Sequence, residues 1–144
     1  MFAILFSFAI YSCSSGGDDD GMSPSPEPDP MADFTVRAAT KTANHPWANQ
    51  GHSVAFTING NEGVTLNLTR GTTYVFDINT PSHPFYISTN DTGEGEGEIT
   101  DGVTGGMTTN GTLSFTPNSN HPDMLYYQCS VHPNMGYIII LTDP

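Results

Sequence analysis

From about residue 32 onward, apolar side chains fall at every second position in short runs separated by turn-forming clusters, and no period of 3.6 persists. Val64, Leu66 and Leu68 alternate with Thr65, Asn67 and Thr69, and Tyr74, Phe76 and Ile78 follow the same rule. This is the pattern of strands with one face in a core and the other in water. The runs predict strands over 34–38, 53–58, 64–69, 73–78, 85–88, 112–116, 124–129 and 136–141. The last, with Tyr137, Ile138, Ile139, Ile140 and Leu141 in succession, is apolar on both faces and is expected to be central. Turn chemistry is plain at Asn59-Gly60-Asn61-Glu62-Gly63 and at Arg70-Gly71. Seven or eight strands of this kind predict an all-β fold, a Greek-key β-sandwich.

Residues 89–110 interrupt the alternation. A loop of this length in a compact domain is usually functional or mobile. Asp91, Glu94, Glu96, Glu98 and Asp101 are oxygen donors of the type calcium takes. Their spacing is not that of an EF-hand loop, and a solvated charge run is the simpler reading.

The chain opens on an apolar stretch, residues 1–12, of the length of a signal-peptide core. Ile10-Tyr11-Ser12-Cys13 resembles a bacterial lipobox, in which the cysteine becomes the lipidated first residue. The plain alternative is an apolar tail with a chance cysteine. Apart from Met22 and Met31, residues 14–31 are Ser, Gly, Pro and acids, a composition that cannot bury enough apolar area to fold. The acidic patch after Cys13 resembles the surface-export signal of Bacteroidota lipoproteins. The expected organisation is a leader over 1–13 ending at lipidated Cys13, a tether over 14–31 and one domain over 32–144. The expected location is extracytoplasmic, at the outer membrane or cell surface and held by the lipid anchor. No apolar run reaches 18 residues, so no transmembrane helix is expected.

Charge narrows the partners. The chain has 15 acids and 3 bases, a net charge of −12. Five acids (Asp18, Asp19, Asp20, Glu27, Asp29) lie in the tether, which leaves the domain ten acids, three bases and about −7. Nucleic acid, which demands a cationic footprint, is not an expected partner.

The candidate chemistry lies in Cys129-Ser130-Val131-His132-Pro133-Asn134-Met135, a C-x2-H-x2-M run between two strands. Thiolate and thioether with imidazole select copper over calcium or magnesium. A second imidazole is available from His83, at the start of a separate strand. Coordination would also protect Cys129, because exported proteins seldom keep a reactive free thiol.

In this arrangement the chain resembles the small cupredoxins, the type 1 blue copper proteins, over roughly residues 53–142. The short loop spacing is that of the amicyanin subgroup, and plastocyanins have a longer His-to-Met gap. Residues 70–78 resemble the strand that leads to the first histidine, and residues 102–117 the mid-domain turn and strand. The resemblance implies His83 and His132 as imidazole ligands, Cys129 as thiolate and Met135 as weak axial thioether around one copper. It implies an electron carrier rather than an enzyme, with an exit at His132 ringed by Pro84, Pro133 and Met107. An acidic surface would steer a basic redox partner, such as a c-type cytochrome or an oxidoreductase domain. One position departs from the family. Many cupredoxins have Asn directly after the first ligand, where it bonds to the cysteine loop; Pro84 stands there and is expected not to make that bond.

Residue types exclude other copper centres. Gln128 precedes Cys129, so the His-Cys-His bridge of multicopper oxidases and nitrite reductases is absent. A dinuclear CuA centre needs two neighbouring cysteines, and structural zinc prefers more Cys or His and no Met. His45, His52 and His121 have no partner spacing and read as surface or turn residues, and Trp47 reads as a loop anchor. Two other classes of function stay open: a copper-capture or delivery lipoprotein, and a metal-free interaction domain on the same scaffold.

Overall fold

In the computed structural model, which describes residues 31–144, the alternation resolves into two sheets facing one another. The expected leader, Cys13 and all of the tether except Met31 lie outside the described residues. The strands are β1 (Phe34–Thr40), β2 (Val54–Ile58), β3 (Asn61–Glu62), β4 (Leu66–Thr69), β5 (Tyr74–Asn79), β6 (Phe85–Ser88), β7 (Val103–Thr104), β8 (Asn110–Phe115), β9 (Met124–Cys129) and β10 (Tyr137–Thr142). One sheet has the order β3-β2-β1-β5-β8-β7 and the other β4-β10-β9-β6. The fold is an all-β two-sheet sandwich, as the sequence predicts.

Burial follows the pleat. Leu66 and Leu68 are buried with Asn67 exposed, and Phe76 and Ile78 are buried with Asp77 only partly covered. The apolar run Tyr137–Leu141 sits inside its sheet, parallel to β4 and antiparallel to β9. Phe56 and Phe76 from one sheet meet Phe85 of the other, with ring centroids at 5.2 and 5.8 Å. All three are fully buried, and each contributes about 1.5–3 kcal/mol by leaving water.

The eight longer strands are the predicted ones, with ends shifted by a few residues; β8 begins at Asn110 rather than 112 and β4 at Leu66 rather than 64. Two strands are additional, β3 and β7. Each is two residues long, formed by main-chain pairing along a neighbour, which leaves no alternation to read in the sequence.

The region 89–110 is fastened at three places by strand-like bridges: Ser88 to Glu98, Gly93 to Pro133 and Phe85 to Thr108. Its acids do not form a calcium site. Among the described residues they make no convergent cluster, Glu94, Glu96 and Glu98 are exposed, and Asp101 instead accepts the Asn118 side-chain amide at 2.8 Å. The middle bridge matters most for function, because it lays this loop against the run that follows β9.

Candidate metal centre

Strand register brings the two distant segments together. β6 and β9 pair antiparallel with Phe85 opposite Cys129. Extending that register by two residues sets His83 opposite Val131, beside His132. The turn before β6 fixes the backbone of His83. Its amide donates to the Thr80 carbonyl at 2.9 Å, and the Thr80 hydroxyl donates to the His83 carbonyl at 2.8 Å. Pro81 presets the bend, and Ser82 adopts φ 67°, a left-handed conformation that costs a non-glycine residue energy.

The donor atoms converge. His83 Nδ1 and His132 Nδ1 are 3.1 Å apart, and Cys129 Sγ is 3.8 Å from His132 Nδ1. The ligand atoms of His83, Cys129 and His132 all lie within 4.8 Å of one another. An ion about 2.0 Å from each nitrogen and about 2.3 Å from sulfur, with trigonal angles, separates its donors by about 3.5 and 3.7 Å. The spacing therefore fits one metal ion on two imidazoles and a thiolate. Met135 is fully buried in the same apolar cluster as Cys129.

Cys129 is a free thiol and fully buried. Burial pushes its pKa up, partly offset by the main chains of Val131 and His132. Burial also holds the His83 pKa below the usual range, helped by the neighbouring His132 and His52 rings. His83 is thus biased toward the neutral form that binds metal.

The 130–135 loop is tied down on both sides. The Asn134 amide donates to the Thr92 carbonyl at 2.7 Å, and the Glu94 amide donates to the Cys129 carbonyl at 2.9 Å. From the opposite side Lys41 Nζ donates to the Gln50 and Asn134 carbonyls, both at 2.7 Å. Asn134 itself takes φ 55°, which its short polar side chain tolerates. Fully buried Gln128 spans the loop: its Nε2 donates to the Asp91 carbonyl, and its Oε1 accepts the Gly136 amide at 3.0 Å.

Three expectations change. Pro84 does bond to the cysteine loop, through its main chain: its carbonyl accepts the Ser130 amide at 3.0 Å. His45 and His121 lie in turns but are buried, at 2% and 6% exposure, so they are not surface residues. His52 is no isolated turn residue; its ring centroid stands 4.2 Å from that of His132 and 5.3 Å from that of His83. Its proximity comes from the His52 amide donating to the Pro133 carbonyl at 2.9 Å, a main-chain contact without a side-chain signature. Trp47 does anchor its loop, packing on Tyr137 and Tyr126 at 5.0 and 6.3 Å.

The sequence profile of the At5g54830-like domain matches residues 31–143. No curated protein matches the chain. Solved structures similar to it include the copper protein rusticyanin, at 17% identity over 75% of this chain and 76% of that one, with a TM-score of 0.45. Rusticyanin from Thiobacillus ferrooxidans is similar at 19% identity, with coverage of 75% and 76% and a TM-score of 0.43. A purple cupredoxin from Nitrosopumilus maritimus is similar at 17% identity over 76% of this chain and 100% of that one, with a TM-score of 0.42.

Proposed function

Since the chain belongs to the At5g54830-like domain family, a name that carries no chemistry, we propose its function from the donor set itself: a mononuclear type 1 copper protein that carries single electrons between redox partners. The observation that carries this reading is the meeting of His83, Cys129 and His132 within 4.8 Å. His83 and His132 would hold the ion through Nδ1, Cys129 through its thiolate and Met135 through a weak thioether contact. Copper in such a set supplies a one-electron couple.

The protein's own part is to keep the donors still. Cys129 sits at the end of a sheet strand, His83 in a turn closed by Thr80, and the 130–135 loop between two flanking segments. A frame this constrained limits rearrangement when charge changes. The His132 ring is partly exposed beside Val131, which is 56% exposed, and Pro133 and Pro84 are half-buried. Met107, 38% exposed, precedes the Thr108 that bridges Phe85 and adds to this rim. The rim is suited to contact with a partner, and His132 is the exit it offers to an electron.

Asp91 and Glu94 flank Gly93, which is bridged to Pro133, and Glu96 and Glu98 follow exposed on the same segment. They support a basic partner, of the kind a c-type cytochrome or oxidoreductase domain presents, with association that slows as salt rises. Anchorage through lipidated Cys13 on the extracytoplasmic side, with residues 14–31 as tether, completes the reading.

Cyclic voltammetry of the protein with one equivalent of copper tests it. A fast, reversible one-electron wave is expected. Tight copper retention with sluggish electron exchange would instead make the protein a copper-capture or delivery module.

A further inference from the structure

Three imidazoles meet at the metal-binding end of the sandwich, and the third lies outside the donor set. The His52 ring is tilted 40° against His132 at 4.2 Å and 59° against His83 at 5.3 Å. His52 is not among the residues whose ligand atoms converge. Its Nδ1 accepts the Val54 amide at 3.1 Å, so that nitrogen is committed to the start of β2.

The backbone under this ring is attached to the ligand loop itself. The His52 amide donates to the Pro133 carbonyl at 2.9 Å, one residue beyond His132. Lys41 bridges the Gln50 and Asn134 carbonyls at 2.7 Å each. Gly51, at φ 65°, approaches so closely that an added Cβ would stand 2.4 Å from the Pro133 oxygen. Residues 50–52 and the 132–134 segment therefore form one body, which carries the two rings in tilted contact.

Cys129 is buried in a sheet strand. His83 and His132 both lie outside strands and are partly exposed, with two side-chain torsions each to restrain, and His132 is the one against which the His52 ring stands nearer. We propose that His52 is a positioning residue for His132: its ring is the wall that keeps His132 Nδ1 aimed at the point shared with His83 and Cys129. The metal-binding consequence rests on the copper reading above, whereas the restraint on the His132 ring in the metal-free protein does not.

Two substitutions separate the ring from its hydrogen bond. In His52→Asn the side-chain oxygen can still accept the Val54 amide, but the wall is gone. In His52→Phe the wall remains and the acceptor is lost. The first readout is NMR relaxation of the His132 imidazole in metal-free protein. The second is copper retention against a competing chelator, with the visible spectrum recorded alongside. His52→Asn is expected to keep the thermal midpoint of the metal-free protein while mobilising the His132 ring. Its copper retention falls by about two- to tenfold, the range of a single aromatic contact, and the relative intensities of its visible bands change. His52→Phe is expected to keep the wild-type ring order and spectrum with a lower thermal midpoint.

Wild-type ring order in His52→Asn would overturn the proposal. So would equal disturbance of ring order and spectrum in both variants, which would assign the effect to the Val54 bond. If the wild-type protein takes up no copper, the copper reading falls, and ring order in His52→Asn alone decides this one. The same comparison decides if His52→Phe does not fold.

Discussion

The Nδ1 atoms of His83 and His132 lie 3.1 Å apart although 49 residues separate them in the chain. Two imidazole nitrogens at that distance share either a proton or an ion. The pairing of β6 with β9 brings them there, and the bonds that fix His83 are main-chain or belong to Thr80. The donor and the scaffold are therefore separable. His83→Ala is expected to change the unfolding free energy of the metal-free protein by no more than about 1 kcal/mol, yet to lower copper retention by well over an order of magnitude. Chemical denaturation and chelator competition on the same samples check this.

Met135 is fully buried, so Met135→Leu keeps an apolar side chain of similar volume and is expected to cost less than about 1.5 kcal/mol. Removing the thioether takes away one weak source of electron donation to copper, a loss felt more by the doubly charged Cu(II) than by Cu(I), and the potential of such a site is tuned by this ligand. The reduction potential is expected to rise and the colour to shift, with copper still bound. Voltammetry and absorption spectra of the variant measure both effects.

Gln128 and Gly136 form the clamp behind Met135. A Cβ at Gly136 would lie 1.5 Å from the Tyr127 carbonyl oxygen, so Gly136→Ala must displace the start of β10. Gln128→Leu leaves the buried Gly136 amide without its acceptor, at about 1–3 kcal/mol. Both are expected to lower stability without copper by more than Met135→Leu does. Urea midpoints of the metal-free proteins distinguish the two kinds of change.

His45 is 2% exposed. Its Nδ1 accepts the Trp47 amide at 3.0 Å, and its Nε2 nears the Gly136 main chain without making a hydrogen bond. Burial, then the Lys41 charge, holds its pKa below the ordinary 6.5. The unfolded chain takes up this proton near pH 6.5 and the folded protein only at lower pH. The associated stability is present above about pH 6.5 and is lost as pH falls through the depressed folded value. His83 acts with the same sign. Metal-free protein is expected to unfold at lower urea at pH 5.5 than at pH 7. His45→Asn, which keeps an acceptor for the Trp47 amide, is expected to lose less over the same interval.

The sequence carried the site unevenly. Cys129, His132 and Met135 were legible because one strand end, its loop and the next strand supply all three at fixed spacing. His83 was legible through its place before an apolar strand. His52 was not, since a lone histidine in a turn gives no spacing, and its approach depends on the Pro133 carbonyl. Pro84 shows the same limit: its ring hides no acceptor, but its carbonyl takes the Ser130 amide, and main-chain bonds are invisible in residue types. The short strands β3 and β7 escaped because two residues cannot display a period of two.

The decisive measurement is a titration of Cu(II) into the metal-free protein while visible absorption is recorded. An intense thiolate-to-copper band is expected that saturates at one equivalent and vanishes in a folded Cys129→Ser variant. A wild-type protein that stays colourless, or a band that survives Cys129→Ser, would contradict the copper reading.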